Sequence, residues 1–191
     1  MWKIGCKIFC KRYAEGILDF IHLRKYLRNY LPFMTDNIIS KLGALAIGAR
    51  MRRLTDMFSR DAAIIYKEHH LDFEAKYFVL FYLISQKDGI GIMEIADELS
   101  LTHPAIINLA KELEKKGYIK SLKSPTDSRK RLLSISKKGK ATLPEFKKVW
   151  DKIQKLNTQL MQKQQNNLLK AMAEMEALLE EKSYYKRFKN M

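Results

Sequence analysis

The stretch that most constrains the fold is residues 94–119, EIADELSLTHPAIINLAKELEKKGYI. It predicts two short helices, 93–99 and 102–116, joined by a tight turn and ended by Gly117, a typical helix stop. Ala96 is the small residue needed where the helices approach, and Ser100 occupies a turn position where many such motifs carry Gly. Apolar residues at suitable spacings would hold the crossing angle: Ile95, Leu99, Leu101, Ile106, Leu109 and Leu113. The stretch therefore predicts a helix-turn-helix.

The second of these helices carries the residues that we expect to contact DNA. Thr102 is a credible N-cap, and Pro104 lies in the first turn, where a missing N–H costs little. The residues predicted to face outward are His103, Ala105, Asn108 and Lys111. The start of a recognition helix meets base edges in the major groove, where Asn pairs with adenine, while the Thr102 hydroxyl and the helix N-terminus suit a phosphate. The alternative is an ordinary helical hairpin without a ligand.

A hairpin with a basic tip follows directly. Strands are predicted at 118–122 and 131–136, with cations at Lys123, Arg129, Lys130 and Arg131. An Arg at such a tip enters the minor groove while its neighbours hold phosphates. Asp127 is expected to bond the backbone or to pair with Arg129 or Arg131, which would fix the shape of the hairpin. A solvated basic turn is the alternative, but the position after a helix-turn-helix favours a DNA-contacting wing.

The remaining segments predict a mainly α protein. A first helix runs from a cap at Thr35 or Asp36 to about residue 69, and a second, buried helix is capped by Asp72 and ends at Ser85. Residues 90–92 predict one short strand. A long helical stretch, 138–182, is broken near 164–167, and its apolar stripe predicts dimerisation, with an intramolecular bundle as the alternative. The stripe comprises Leu143, Phe146, Val149, Trp150, Ile153, Leu156 and Leu160, continued after the break.

Charge and composition narrow the class of partner. The net charge is +15, which favours a polyanion such as double-stranded DNA over an anionic membrane surface, and no apolar run is long enough to span a bilayer.

The only cysteines, Cys6 and Cys10, form no disulfide framework, so we expect a reducing cytoplasm. No phosphate loop, zinc-enzyme spacing or nucleophile motif occurs, so we expect no enzymatic activity and no cofactor. His69 and His70 are a weak candidate for a metal site, and we expect none.

Residues 1–33 differ from the rest of the chain. They are basic, with interleaved aromatic residues, and Pro32 ends the pattern just before Met34. Three interpretations are open: a basic amphipathic helix for DNA or membrane, an arm that stabilises a dimer, or translated sequence upstream of a true start at Met34. We favour the third, in which the segment is not native, or a merely structural role.

The motifs in residues 90–140 resemble the MarR family of bacterial and archaeal regulators. That family's wing has Asp-x-Arg, a strand and then Leu-Thr-x-x-Gly, and this chain has Asp127-Ser128-Arg129 followed by Ile135-Ser136-Lys137-Lys138-Gly139. Ile for Leu and Ser for Thr are departures that keep an apolar residue and a hydroxyl. Residues 94–96 and 112–119 also match, and the resemblance extends over roughly 36–182. Residues 42–54 and 101–105 look like the regulator half of proteins that fuse a MarR-type domain to a GNAT acetyltransferase.

The resemblance implies a winged helix-turn-helix regulator that acts as a homodimer on DNA. It implies a MarR-like domain over 34–191, with the winged helix at about 72–137 and dimerisation helices at about 36–69 and 138–182. It also implies a repressor relieved by a small-molecule effector, whose cleft Tyr66, Tyr77 and Phe81 would line unless they pack in the core. Because the chain ends at Met191, we expect the regulator activity without the acetyltransferase. The rival hypothesis is a winged helix used as a protein-interaction module.

Overall fold

The structure is a computed structural model that describes residues 37–123 and 131–191. The described chain is mainly helical, with one small antiparallel sheet. It divides into two compact units, and the division falls between Phe58 and Ser59, inside a long helix.

The first unit contains a short helix, a 3-10 turn and the beginning of the long helix. Helix α1 spans Ile38–Lys41, the turn spans Gly43–Ala46, and helix α2 spans Ile47–Glu68. The side chain of Asn37 caps α1 by accepting the backbone N–H of Ser40. The single helix predicted here is therefore interrupted, because Gly43 has a φ of +55°, which breaks helical continuity. The predicted caps Thr35 and Asp36 lie outside the described residues.

The second unit begins with the end of α2 and the helix that follows it. At the end of α2, His70 has a φ of +56°, and the N–H of Leu71 donates to the carbonyl of Tyr66, which closes a Schellman motif. A 3-10 turn, Ala75–Tyr77, then leads into helix α3, Phe78–Gln86. The predicted N-cap at Asp72 is wrong: the helical segment begins later, after Glu74 in an extended conformation, and the Asp72 carboxylate binds Lys116 instead.

Helix α3 is buried on one side only, although the sequence predicted a helix buried all round. Leu80, Phe81, Leu83 and Ile84 lie in the core. The opposite side is exposed within this chain, where Phe78, Val79 and Tyr82 reach the surface. Apolar residues on all faces of a helix are therefore compatible with two arrangements: a helix buried on every side, and a helix buried on one side with an exposed apolar surface on the other.

The predicted helix-turn-helix is present. Helix α4 spans Ile92–Leu99 and helix α5 spans His103–Lys115. Ser100 adopts a φ of +50° between them and, with the N–H of Leu101 donating to Ala96, closes a second Schellman motif. Ala96 is buried, as expected for the close approach, but Leu101 is 39% exposed and so contributes less to the apolar contact than predicted.

The sheet has three strands in the order β1-β3-β2, where β1 is Ile90–Gly91, β2 is Ile119–Lys123 and β3 is Arg131–Ile135. Strands β2 and β3 pair antiparallel from Ile119 opposite Ile135 to Lys123 opposite Arg131. Helix α5 ends at a third Schellman motif centred on Gly117, which has a φ of +77°. The hairpin thus starts directly from the end of α5, as the sequence predicted.

Three helices complete the chain: α6 at Lys137–Gln162, α7 at Leu168–Glu181 and α8 at Tyr184–Lys189. The break between α6 and α7 lies where it was predicted. The two halves of the apolar stripe of α6, however, lie in different environments. Phe146, Val149 and Trp150 are buried in the core of this chain, and only Leu156 and Leu160 are exposed. The prediction that the whole stripe serves dimerisation is therefore wrong for its first half, since the winged domain needs that half as its own core.

An aromatic cluster forms the centre of this core. The rings of Phe73 and Phe146 meet edge to face with centroids 4.7 Å apart, and Phe146 also contacts Phe81 at 5.0 Å and Tyr118 at 5.4 Å. The indole N–H of Trp150 donates to the Tyr66 hydroxyl at 3.2 Å. These contacts join α2, α3, the start of the wing and α6 into one core.

The junction between the wing and α6 explains the Gly of the Ser-x-x-Gly pattern. The Ser136 hydroxyl accepts the N–H of Gly139 at 2.9 Å as the N-cap of α6, and it donates to the carbonyl of Gly117. A Cβ added at Gly139 would lie 2.2 Å from the carbonyl oxygen of Tyr118 and 2.7 Å from Ile135 Cγ1. Only a residue without a side chain fits between these groups.

We therefore expect Gly139→Ala to lower the free energy of unfolding by about 1–3 kcal/mol, the usual cost of forcing extra atoms into a packed site. Urea unfolding followed by circular dichroism measures the loss. Gly91→Ala is the matched control, because its added Cβ would meet only Leu132 at 3.9 Å, an ordinary contact. Equal losses in the two variants would contradict this explanation.

Candidate nucleic-acid interface

The N-terminus of helix α5 has no side-chain cap. Its N-cap, Thr102, makes no side-chain hydrogen bond to the helix, and its first turn contains Pro104 and no acidic residue. The amino end of a helix carries a partial positive charge and unsatisfied N–H groups, which favour an anion such as a phosphate. Thr102 thus occupies the predicted cap position while its hydroxyl makes no capping bond.

The residues predicted to face outward on α5 do reach the surface. Thr102, His103, Asn108 and Lys111 are exposed, and Ala105 is half-buried. On the opposite side, Ile106, Ala110 and Leu113 are buried in the core. The helix therefore offers one polar face from its amino end to its middle, and that face contains the predicted contacts. Their contact with DNA stays a prediction.

The second half of α5 is held by hydrogen bonds to the 3-10 turn. The buried Tyr77 hydroxyl donates to Glu112 Oε2 at 2.5 Å, and Lys76 Nζ donates to the same oxygen at 2.6 Å. Burial, and then the bond to Glu112, raises the pKa of Tyr77 to about 12. The bonds from Lys76 and Tyr77 in turn lower the pKa of Glu112. The phenol therefore stays protonated and the carboxylate ionised across the physiological range.

A second contact holds the end of α5. Lys116 Nζ donates to Asp72 Oδ1 at 2.6 Å, and the carbonyl of Lys116 accepts Lys138 Nζ at 2.7 Å. The Lys138 ammonium lies 4.6 Å from the centroid of the Tyr118 ring. Both lysines are therefore engaged in contacts within the domain, where they stabilise the junction of α5 with the wing and α6.

The described part of the wing ends at the Lys123–Arg131 pair. Lys123 and Arg131 are exposed, but Arg131 is already engaged: its Nη2 donates to Glu114 Oε2 at 2.7 Å and its Nε donates to Ser121 Oγ. Asp127, Arg129 and Lys130 lie outside the described residues, so their predicted roles stay predictions.

His69 is hydrogen-bonded to a carboxylate. Its Nδ1 lies 2.6 Å from Glu145 Oε1, so the ring nitrogen donates to the carboxylate and links the end of α2 to α6. The adjacent His70 takes the left-handed position that ends α2. Among residues 37–123 and 131–191, no group of three or more His, Cys, Asp or Glu side chains could hold a metal ion.

The aromatic residues considered for an effector cleft belong to the core. Tyr66, Tyr77 and Phe81 are all buried, and each packs against other rings of the aromatic cluster. All three therefore pack in the core, which is the alternative to an effector cleft that the sequence left open. None of the helices within the described part of the chain has the length and apolar character needed to cross a membrane.

Sequence reasoning missed the acidic residues that hold this surface in place. Glu112 and Glu114 lie in the last turns of α5, where the helix dipole disfavours negative charge. Acidic residues at that end are a signal for cross-element partners, and here the partners are Lys76, Tyr77 and Arg131. Acidic residues at this end of a helix indicate that a cationic or hydrogen-bonding partner is needed. They do not identify that partner, because it lies far away in the sequence.

Comparison with known families identifies this region. Residues 74–130 match the model of the MarR family. Over this stretch the chain is similar to that family. The match starts just before α3 and extends through the helix-turn-helix into the wing. Comparison with curated proteins gives no match.

Solved structures of MarR regulators have the same winged-helix fold. The S. aureus MepR–DNA complex matches at 21% identity and a TM-score of 0.55, over 70% of this chain and 95% of that one. The repressor CouR bound to a 23-mer DNA duplex matches at 23% and 0.54, over 72% and 96%. The PcaV regulator of Streptomyces coelicolor, in complex with its natural ligand, matches at 13% and 0.55, over 74% and 96%. These likenesses confirm the predicted fold class.

The His69–Glu145 pair predicts a specific pH dependence. The hydrogen bond from His69, and then that from Lys148, lowers the pKa of Glu145 below its ordinary 4.5. A carboxylate whose folded pKa is lowered contributes stability above its unfolded pKa and loses it as pH falls through the folded pKa. We therefore expect Glu145→Gln to lower the urea midpoint at pH 7 and the difference from wild type to become smaller when the pH is lowered to 3.

Glu68→Gln is the matched control, since Glu68 is exposed at the end of α2 and has no ion pair within the described residues. Its midpoint should follow that of the wild type at both pH values. A difference between wild type and Glu145→Gln that persists unchanged in acid would contradict the role given to the carboxylate.

Proposed function

We propose that this protein is a sequence-specific DNA-binding transcriptional regulator of the MarR type that acts as a homodimer. One observation supports it most: α5 presents its uncapped amino end and an outward row of polar residues, beside a wing whose described part ends at the Lys123–Arg131 pair. A helix of this kind enters the major groove while the wing reaches the backbone or the minor groove. The net charge of +15 favours the same partner.

Individual roles follow from position. Asn108 and His103 would meet base edges, because they lie in the first half of α5 on its exposed face. Thr102 and the helix N-terminus would hold a phosphate, and Lys111 would contact the backbone. From the sequence pattern, Arg129 and Lys130 would complete the contact at the wing tip.

The regulator is proposed to be a repressor that responds to a small molecule. A structurally similar regulator is described in complex with its natural ligand, and another is described as a repressor bound to DNA. The protein would act in the cytoplasm, where bacterial and archaeal DNA lies, with no catalytic activity of its own. The likeness of residues 42–54 and 101–105 to the regulator half of acetyltransferase fusions is a proposed kinship that concerns ancestry rather than activity.

The dimer is proposed from apolar side chains of α6 and α7 that are exposed in the described part of the chain. Helix α7 has 14 residues and no buried side chain, although its apolar residues follow helical spacing. A helix of that length is marginal in water unless its apolar side is packed. The uncovered residues are Leu156, Leu160, Leu169, Met172, Met175, Leu178 and Leu179. A second copy of the chain would bury this set.

The first test is an electrophoretic mobility shift with DNA from around the chain's own gene, titrated with non-specific competitor. We expect a discrete complex that survives competition. Asn108→Ala should bind the best site about 5–100-fold less tightly, the loss for one bidentate base contact, with non-specific affinity unchanged. Lys155→Gln, on the exposed side of α6, is a control that should leave base preference intact.

Loss of the wild-type complex under competition would favour the alternative, a winged helix that binds protein, with the charge alone explaining any affinity for DNA. An equal loss of affinity for all sequences in Asn108→Ala would instead exclude base recognition by this residue.

The dimer is tested by sedimentation of two double variants in α7. Met175→Gln with Leu179→Gln removes two neighbouring apolar side chains, and we expect the dissociation constant to rise at least about tenfold. Glu176→Gln with Glu180→Gln has the same i, i+4 spacing on exposed acidic positions and should associate like the wild type. Unchanged association of the first variant would contradict dimerisation through α7.

A further inference from the structure

We propose that the ion pair between Glu114 and Arg131 sets the position of the wing relative to α5, so that Arg131 is a positioning residue and not a phosphate contact. The inference rests on the proposed function and deepens it, because it assigns one cation of the predicted DNA surface a different role. It also gives a role in DNA binding to an acidic residue, Glu114.

Arg131 lies at the outer end of the described hairpin. It is the first residue of β3 and pairs across the hairpin with Lys123, the last residue of β2. Its Nη2 donates to Glu114 Oε2 at 2.7 Å, and its Nε donates to Ser121 Oγ. One guanidinium therefore joins three elements: α5, β2 and β3.

These bonds occupy one of the donor forks of the guanidinium that a phosphate could use. Arg grips carboxylate and phosphate through parallel N–H donors in a fixed fork, and Nε with Nη2 forms one such fork. Both donors of that fork are engaged within the domain. A phosphate bound there would have to displace Glu114 and Ser121, which would release the hairpin from α5.

The wing needs such a contact because a two-stranded hairpin is marginal by itself. Within the described residues the Lys123–Arg131 pair is the outermost pair of the hairpin, so the angle of the hairpin to α5 is set close to this point. The side chain of Glu114 is 23% exposed, so its pair with Arg131 is better shielded from salt than a fully exposed one.

This role makes a prediction opposite in sign to simple electrostatics. Glu114→Gln removes a negative charge from a DNA-binding domain, which by charge alone strengthens binding to phosphates. If the carboxylate positions the wing, the same change weakens specific binding, by about three- to fivefold for a pair at this exposure.

Asp97→Asn is the matched control: the charge change is identical, and Asp97 is an exposed residue of α4 without an ion pair in the described residues. It should bind as well as the wild type or up to about twofold more tightly.

A charge reversal tests Arg131 directly. Glu114→Arg combined with Arg131→Glu keeps an ion pair between the same two positions, and we expect it to recover most of the affinity that Arg131→Glu alone loses. A phosphate contact by Arg131 gives the contrary result, since a carboxylate at 131 repels DNA whatever stands at 114. Because the double variant retains the pair, it decides the matter even where a single variant unfolds. Thermal unfolding of every variant separates lost folding from lost binding.

The measurement is the affinity of each variant for the best site of the wild type, under non-specific competition. Weaker binding by Glu114→Gln, together with recovery in the reversed pair, supports the inference. Tighter binding by Glu114→Gln, in step with Asp97→Asn, or failure of the reversed pair to recover, overturns it while the proposed function stands. Absence of specific binding by the wild type overturns the proposed function and this inference with it.

Discussion

The contact on which the rest of the structure depends is the packing of Phe146 against Phe73 and Tyr118. Phe146 belongs to α6, Phe73 precedes α3, and Tyr118 is the residue that leads from α5 into the wing. One fully buried ring thereby connects the helix beyond the wing to both ends of the segment that runs from α3 to α5. The same junction holds the close approach of Gly139 to the Tyr118 carbonyl, which sets how α6 leaves the wing. Recognition elements and the α6 helix are therefore parts of one core.

Around this core, acidic residues fix the cationic surface. Glu112 accepts bonds from Lys76 and Tyr77, Asp72 pairs with Lys116, and Glu114 pairs with Arg131. Each pair is partly exposed, so each contributes little to stability alone. Together they connect the second half of α5 to the elements on both sides. Within the part of the chain that the structure describes, the polar side chains in the first half of α5 make no hydrogen bond, so one end of the helix is anchored and the other is available to a ligand.

The sequence predicted what depends on local chemistry. The turn at Ser100, the stop at Gly117 and the break between α6 and α7 are all determined by neighbouring residues, and all three are confirmed. Asp72 shows the limit: an acidic residue before an apolar run is a good N-cap in isolation, but its partner Lys116 is 44 residues away in the chain. The stripe of α6 shows the same limit, because periodicity identifies an apolar face without indicating whether its own domain or a second copy covers it.

A count of cations does not by itself define a DNA-binding surface. A lysine or arginine near a recognition helix has the same charge whether it contacts a phosphate or a carboxylate of its own domain, so composition cannot separate the two roles. What separates them is an acidic residue at an electrostatically unfavourable place, such as Glu114 near the negative end of α5. Its cost to the helix is offset only where a fixed cation meets it, and Arg131 is that cation. A carboxylate near the C-terminus of a helix in a basic domain thus indicates which nearby arginine is engaged in an ion pair within the domain.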